Sequence, residues 1–320
     1  MRRRTLVQAL GFLFAPSIAI GQARPVRIGV LAPVAKSRFL PAALKRLEEL
    51  GYVEGKNLVI DYRSTEGVAE RGPALARELI RAKSDLILAI TGAEHTVRAL
   101  LEAKAVTPVV IVVANYDPVK AGIISSLSRP GGNITGMFFP VFELAAKHME
   151  LMREIVPKAK RYLVLADPYT DLQLEFVRKA AEQLRVEIVV ERFAALPYDL
   201  DSAFVKGKAA GTEAVIVLDS AAWGPMRKIA ELAVKHRLPS VVNVQHMGEP
   251  EFLIGYGANF DTAFVRLGDI MASILKGVKP ADIPVEQPTQ FELVVNQKTA
   301  KALGIKIPQS IMLRATRVIE

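Results

Sequence analysis

The chain alternates short apolar runs with stretches of helical period. The runs RIGVL at 27–31, LILAI at 86–90 and VVIVV at 109–113 read as strands buried on both faces. NLVIDY at 57–62 adds a fourth. Between them, residues 39–50, 73–82 and 91–104 carry apolar positions at helical spacing. Gly51 suits the C-terminal cap of the first helix, and Pro73 the first turn of the second, where a missing N–H costs little. Further on the pattern resumes, with helices over 143–155, 171–184, 199–208 and 225–236 and strands over 162–166, 187–190, 214–218 and 240–244. Strands alternating with helices in this way predict an α/β protein with parallel sheets covered on both faces.

Residues 117–136, DPVKAGIISSLSRPGGNITG, break the alternation halfway. Asp-Pro, Arg-Pro-Gly-Gly-Asn and a closing glycine exclude one long helix or strand there. The stretch reads as the end of one lobe and the first hinge, with ITGMFF at 134–139 running across to a second lobe. A (β/α)8 barrel has a similar number of units, but the interruption favours two lobes. Residues 252–259 read as a strand that crosses back, and 260–275 as a helix with Phe264, Leu267, Ile270, Met271 and Ile274 on its apolar face. Pro280, Pro284 and Pro288 make 279–288 an extended linker. A strand at 291–296, a short helix at 298–303 capped by Gly304, and a tail from Pro308 complete the chain.

Composition narrows the classes. Hydrophobic residues make up 51% of the chain, enough for packed cores and against disorder. With no cysteine, disulfides, thiolate metal sites, cysteine nucleophiles and a lipidated N-terminal cysteine are excluded. The net charge of +9 starts with Arg2, Arg3 and Arg4, which precede an apolar run from Leu6 to Ile20 and a small-x-small pattern at 21–23. That run is shorter than the roughly 20 residues a bilayer span needs, and Pro16 interrupts it. Residues 1–23 therefore read as a secretory signal peptide with an ordinary basic start, loosely matching a twin-arginine signal. Export places the mature protein in the periplasm. Its remaining positive charge is interleaved with Asp and Glu, which fits a solvated surface and no nucleic-acid partner.

In open parallel sheets ligands sit beyond the carboxyl ends of the strands, so the residues following each strand are the candidates. They are Pro33 and Phe39; Thr91, Gly92 and Ala93; Asn115, Tyr116 and Asp117; then Asp167 and Tyr169; Asp219, Ser220 and Trp223; His246; and Tyr256. Hydroxyls, amides, aromatics and a few carboxylates suit a small polar ligand with an apolar part. Thr91-Gly92 opening a helix favours an anion such as a carboxylate, or else is plain capping. Asp219 can hold an ammonium, or cap the next helix. Trp223 and Tyr169 can stack on a ligand or on the other lobe. Asp167, before Pro168, equally starts a turn. No G-x-S-x-G, H-E-x-x-H or G-x-x-x-x-G-K-[ST] motif appears, and no cluster has metal-ligand spacing. No cofactor and no metal are expected. Of the four histidines, His95, His148 and His236 fall in helices and read as solvated; His246 alone sits at a strand end.

A set of short motifs resembles the solute-binding proteins of ABC transporters, in the family that includes tryptophan- and tyrosine-type binding proteins. They are RIGVL at 27–31, LGYVEGKN at 50–57, DPV at 117–119, SL at 126–127, RPGGNITG at 129–136, LP at 238–239, ILKG at 274–277, KPAD at 279–282, PVEQP at 284–288, FELVVN at 291–296 and KTAKALG at 298–304. The resemblance covers nearly the whole mature chain. It implies a type I periplasmic-binding-protein fold, with two Rossmann-like lobes, parallel sheets, a three-crossover hinge and a ligand in the cleft. On that fold 24–137 and 260–287 form the N-terminal lobe, and 138–259 and 288–320 the C-terminal lobe. It also implies a monomer that delivers its ligand, an amino acid or related compound, to an ABC permease in the inner membrane. In amino-acid-binding members the first lobe takes the carboxylate and a second-lobe carboxylate the ammonium, which maps onto Thr91 and Asp219. The sequence departs from that pattern at QHMGEP, 245–250, and at Asn115-Tyr116. Both departures lie at the cleft and leave an aromatic amino acid in doubt as the ligand. The rival readings are an extracytoplasmic enzyme and a ligand-presenting sensor on the same scaffold.

Overall fold

A computed structural model of the chain describes residues 24–32, 37, 39–66, 68–90, 94–102, 107–167, 169–194, 197–220, 226–247 and 251–320. The leader read at residues 1–23 lies outside them. The first sheet is built from β1 (Val26–Ala32), β2 (Leu58–Ser64), β3 (Leu86–Ile90), β4 (Val109–Val113) and β5 (Ile134–Phe138), in the order β2-β1-β3-β4-β5. All its pairings are parallel. Parallel neighbours need a crossover, and the helices α1 (Leu40–Glu49), α2 (Gly72–Arg81) and α3 (Glu94–Glu102) supply it. Ile28, Val30, Leu86, Leu88 and Val110 face α1 and a returning helix, α8 (Phe260–Leu275); Leu31, Ile87, Ala89 and Ile111 face α2 and α3. This alternation splits each strand between two cores, which is why the strands read as unbroken apolar runs.

The second sheet has seven strands: β6 (Arg161–Ala166), β7 (Glu187–Arg192), β8 (Ala214–Val217), β9 (Ser240–Val242), β10 (Ile254–Ala258), β11 (Phe291–Asn296) and β12 (Arg317–Ile319). The order is β12-β11-β10-β9-β8-β6-β7, parallel except where β11 runs against β10. One face is covered by α4 (Val141–Ile155), α5 (Asp171–Leu184) and part of α10 (Gln309–Arg314). The other is covered by α6 (Leu200–Ala209) and α7 (Met226–Lys235). A short helix, α9 (Gln297–Leu303), turns the chain between β11 and α10. Two separate sheets exclude the (β/α)8 barrel.

The crossing segments lie side by side. Ile134–Phe138 is not a free crossing but the edge strand of the first sheet; the passage to α4 begins only at Phe139. The returning chain covers that edge, with Phe138 N–H donating to Glu286 O at 2.8 Å and Glu286 N–H to Gly136 O at 2.9 Å. The chain goes back to the first sheet at Asn259, which caps α8 through its side chain on Thr262 N–H, 2.9 Å. Phe39, Phe139, Phe260 and Phe264 pack around these passages, with Phe139 and Phe260 stacked at 4.5 Å between centroids.

Gly136 lies in β5 between β4 and the returning chain at Glu286. Its φ is +143°, and a Cβ there would come within 2.0 Å of Ile111 O, a backbone atom that cannot swing away. Gly136→Ala should therefore destabilise the fold by about 3 kcal/mol or more, read as a lowered midpoint in urea. An unchanged midpoint would mean that β4 and β5 are not held this closely.

Candidate functional site

The carboxyl ends of β8 and β9 bring four side chains together. Asp219 follows β8 and is 11% exposed. Asn243, Gln245 and His246 follow β9 in a tight 3-10 turn, Val244–His246, which Asn243 caps. Asp219 Oδ1 accepts from His246 Nε2 at 3.0 Å and from Gln245 Nε2 at 2.9 Å. Its Oδ2 accepts from Asn243 Nδ2 at 3.0 Å and from the same Gln245 nitrogen at 2.9 Å. The turn can lie against β10 because Gly255 and Gly257 lack side chains; a Cβ on Gly257 would meet Asn243 Oδ1 at 2.5 Å.

The backbone of Asp219 is held as well. Gln173, on α5, accepts Asp219 N–H at 2.8 Å and donates Nε2–H to Asp219 O at 2.6 Å. Those two bonds fix which way the amide points. Its second N–H then faces Asn115 Oδ1, 3.4 Å away, at the end of β4 in the first sheet. Gln173 is 3% exposed. The same helix sets Leu172 and Phe176 against the core cluster of the first sheet that Phe142 of α4 joins, and Phe176 meets that Phe142 at 5.3 Å.

The other expected residues divide into those near this cluster and those spent elsewhere. Tyr116 packs on the first lobe's core with its hydroxyl buried and without a hydrogen-bond partner, and burial, then Glu94, pushes its pKa up. Asp117 caps its own turn, accepting from Val119 N–H at 2.9 Å and Lys120 N–H at 3.2 Å. Phe39 joins the aromatic group at the crossings and lines a cavity of about 430 Å³ with Gln245, Asn259, Phe260, Glu292 and Arg317. Tyr169 is half-buried, and burial followed by Glu70 of the first lobe raises its pKa. Pro33, Thr91, Gly92, Ala93 and Trp223 lie outside the described residues.

The structure places four of these residues differently from expectation: Asp167, Ser220, Tyr256 and His148. Asp167 is fully buried, and its carboxylate is taken by Tyr169 N–H (2.9 Å), Tyr198 Oη (3.1 Å) and Ser220 Oγ. It and Ser220 lock the loop after β6 to the loop after β8 and offer a ligand no surface in this conformation. Tyr256 points to the face of the second sheet opposite the Asn243–His246 turn, stacked near Phe291 at 6.0 Å. His148, read as solvated, is 4% exposed; its Nε2 lies 2.7 Å from Tyr256 O. The spacing of the α4 stripe, Val141, Phe142, Ala145, His148, Met149, Met152, could have shown this. Position after a strand does not point to Gln173, and Asn243 is hidden in the turn that follows β9. Gln173 had a signal too, since it stands one turn before Val177 on a stripe continued by Ala180 and Ala181.

Among the described residues no group of three or more His, Cys, Asp or Glu could hold a metal ion, and no helix is long and apolar enough to cross a membrane. Two open α/β sheets joined by adjacent crossings, with polar side chains gathered at their strand ends, define a ligand-binding protein of the periplasmic-binding type. A family model of ABC transporter substrate-binding proteins matches residues 35–319, and the chain belongs to that family. The tyrosine-binding protein of Clostridioides difficile (strain R20291) is 25% identical over 266 residues, 82% of this chain and 75% of that one. A conserved domain protein of Vibrio cholerae has a solved structure 27% identical, with a TM-score of 0.78 over 92% of this chain and all of that one. The ABC domain from Streptococcus pneumonia, solved in complex with L-Trp, is also 27% identical, with a TM-score of 0.76 over the same shares.

The buried His148 gives a pH prediction. Burial lowers its pKa from the ordinary 6.5, outweighing Tyr256 O and Asp219, so the folded state binds its proton less readily than the unfolded state. Stability is therefore full above about pH 6.5 and falls as the pH drops below it, by up to about 1.4 kcal/mol per pH unit until the folded-state value is reached. Thermal melting between pH 7.5 and 5 should fall more steeply for the wild type than for His148→Gln, which keeps a donor toward Tyr256 O. Equal slopes would contradict this.

Proposed function

We propose that this protein is the extracytoplasmic solute-binding component of an ABC importer, exported to the periplasm by residues 1–23. It acts as a monomer, closes on a small organic ligand and hands it to a permease in the inner membrane. The lobes are 24–137 with 260–287, and 138–259 with 288–320. The ligand class is an amino acid or a related compound, and the role is binding without turnover. The observation that carries this reading is the Asp219 cluster at the strand ends of the second sheet, linked through Gln173 to Asn115 at the end of β4. The L-Trp in the Streptococcus structure and the name of the Clostridioides relative support the ligand class.

In this reading Asp219 takes the ligand's ammonium, which replaces the Gln245 nitrogen now shared between its two oxygens. Gln245 has somewhere to go, since it already lines the 430 Å³ cavity. Thr91, Gly92 and Ala93 take the carboxylate by their place after β3, and Tyr169 and Trp223 supply stacking.

Thermal-shift screening of the mature chain against L-amino acids and aromatic carboxylates tests this. A ligand at a hundred times its Kd adds about 2.7 kcal/mol, which raises the melting temperature by about 5–10 °C. Asp219→Asn should weaken a bound amino acid about tenfold or more and leave its des-amino analogue unchanged, measured by calorimetry. Equal losses for both would sink the ammonium assignment. Mass spectrometry should return the ligand unaltered after prolonged incubation; a product would instead mark an enzyme.

A further inference from the structure

The geometry points to Gln173 as a positioning residue that latches the closed form: it fixes the Asp219 loop by its backbone and ties that loop to Asn115 of the first lobe. This rests on the binding role proposed above. The side-chain amide of Gln173 has one acceptor and two donor hydrogens, and all three are committed. Two bonds, at 2.6 and 2.8 Å, close a ring with the backbone of Asp219, as a strand neighbour would. They are intra-lobe and independent of closure. The third, 3.4 Å to Asn115 Oδ1, spans the lobes and exists only when they approach.

A buried glutamine on an apolar stripe costs free energy unless its partners are present. When the lobes part, the second N–H of Gln173 loses Asn115. The amide supplies the register between the two loops. Because the Asp219 carboxylate is mounted on the backbone that Gln173 holds, a ligand that settles against Asp219 sets the residue that meets Asn115. Binding and closure are thus joined through one side chain.

The absence of cysteine from the sequence makes the test clean. Lys45→Cys on α1 and Lys208→Cys on α6, both exposed positions in different lobes, carry a spin-label pair that reports the inter-lobe distance. In the ligand-free protein, Gln173→Leu and Asn115→Ala should each shift the distribution toward longer distances. The double variant should go no further than either alone. With saturating L-tyrosine or L-tryptophan, whichever the wild type binds, the single variants should release ligand about tenfold faster with an unchanged association rate. A merely structural role for Gln173 would lower the melting temperature and leave the distance distribution alone. Should Gln173→Leu fail to fold, Asn115→Ala, which keeps the ring with Asp219, carries the distance test. Distributions matching the wild type, or shifts that add in the double variant, overturn the latch. If neither amino acid binds the wild type, the amino-acid assignment fails, and the ligand-free distances still decide the latch.

Discussion

Every polar atom of Asp219 is held. Gln173 closes on its N–H and C=O, while Asn243, Gln245 and His246 cover both carboxylate oxygens. A carboxylate at 11% exposure is stable only if its charge is met by donors, and here three side chains supply them. The arrangement fixes the loop after β8, the turn after β9 and the first turn of α5 relative to one another. The second lobe's strand ends therefore form a rigid platform.

That platform follows from the topology. Parallel strands put their carboxyl ends at one edge of each sheet, and the loops that leave them gather there. Asp167 and Ser220 tie two of those loops beneath Asp219. On the far side, Gly255 and Gly257 let the Asn243–His246 turn sit directly on β10. The crossings are correspondingly tight, with β5 pairing to the returning chain at Glu286 and an aromatic cluster filling the space around Phe260.

Much of the fold was legible because strands buried on both faces give unbroken apolar runs, as VVIVV at 109–113 does. The elements that escaped are those whose reason lies outside their own residues. The strand Arg317–Ile319 has three residues and exists because β11 offers it an edge. Ile134–Phe138 read as a passage because its covering partner, Glu286, lies far along the chain. For the polar cluster, position after a strand points to Asp219 and His246, which meet at 3.0 Å. The same rule cannot separate a residue open to a ligand from one buried below it, which is why it also points to Asp167 and Ser220. Gln173 escaped because it lies inside a helix and serves another residue's backbone. Polar residues on apolar stripes, Gln173 on α5 and His148 on α4, were the unread signal.

A crystal structure of the mature protein with its tightest-binding amino acid decides whether a small ligand is held between Asp219 and the end of β4. The ligand's ammonium should lie within about 3 Å of Asp219, with Gln245 displaced and Gln173 still on the Asp219 backbone. A ligand seated away from Asp219, with the four-residue cluster unchanged, would contradict it.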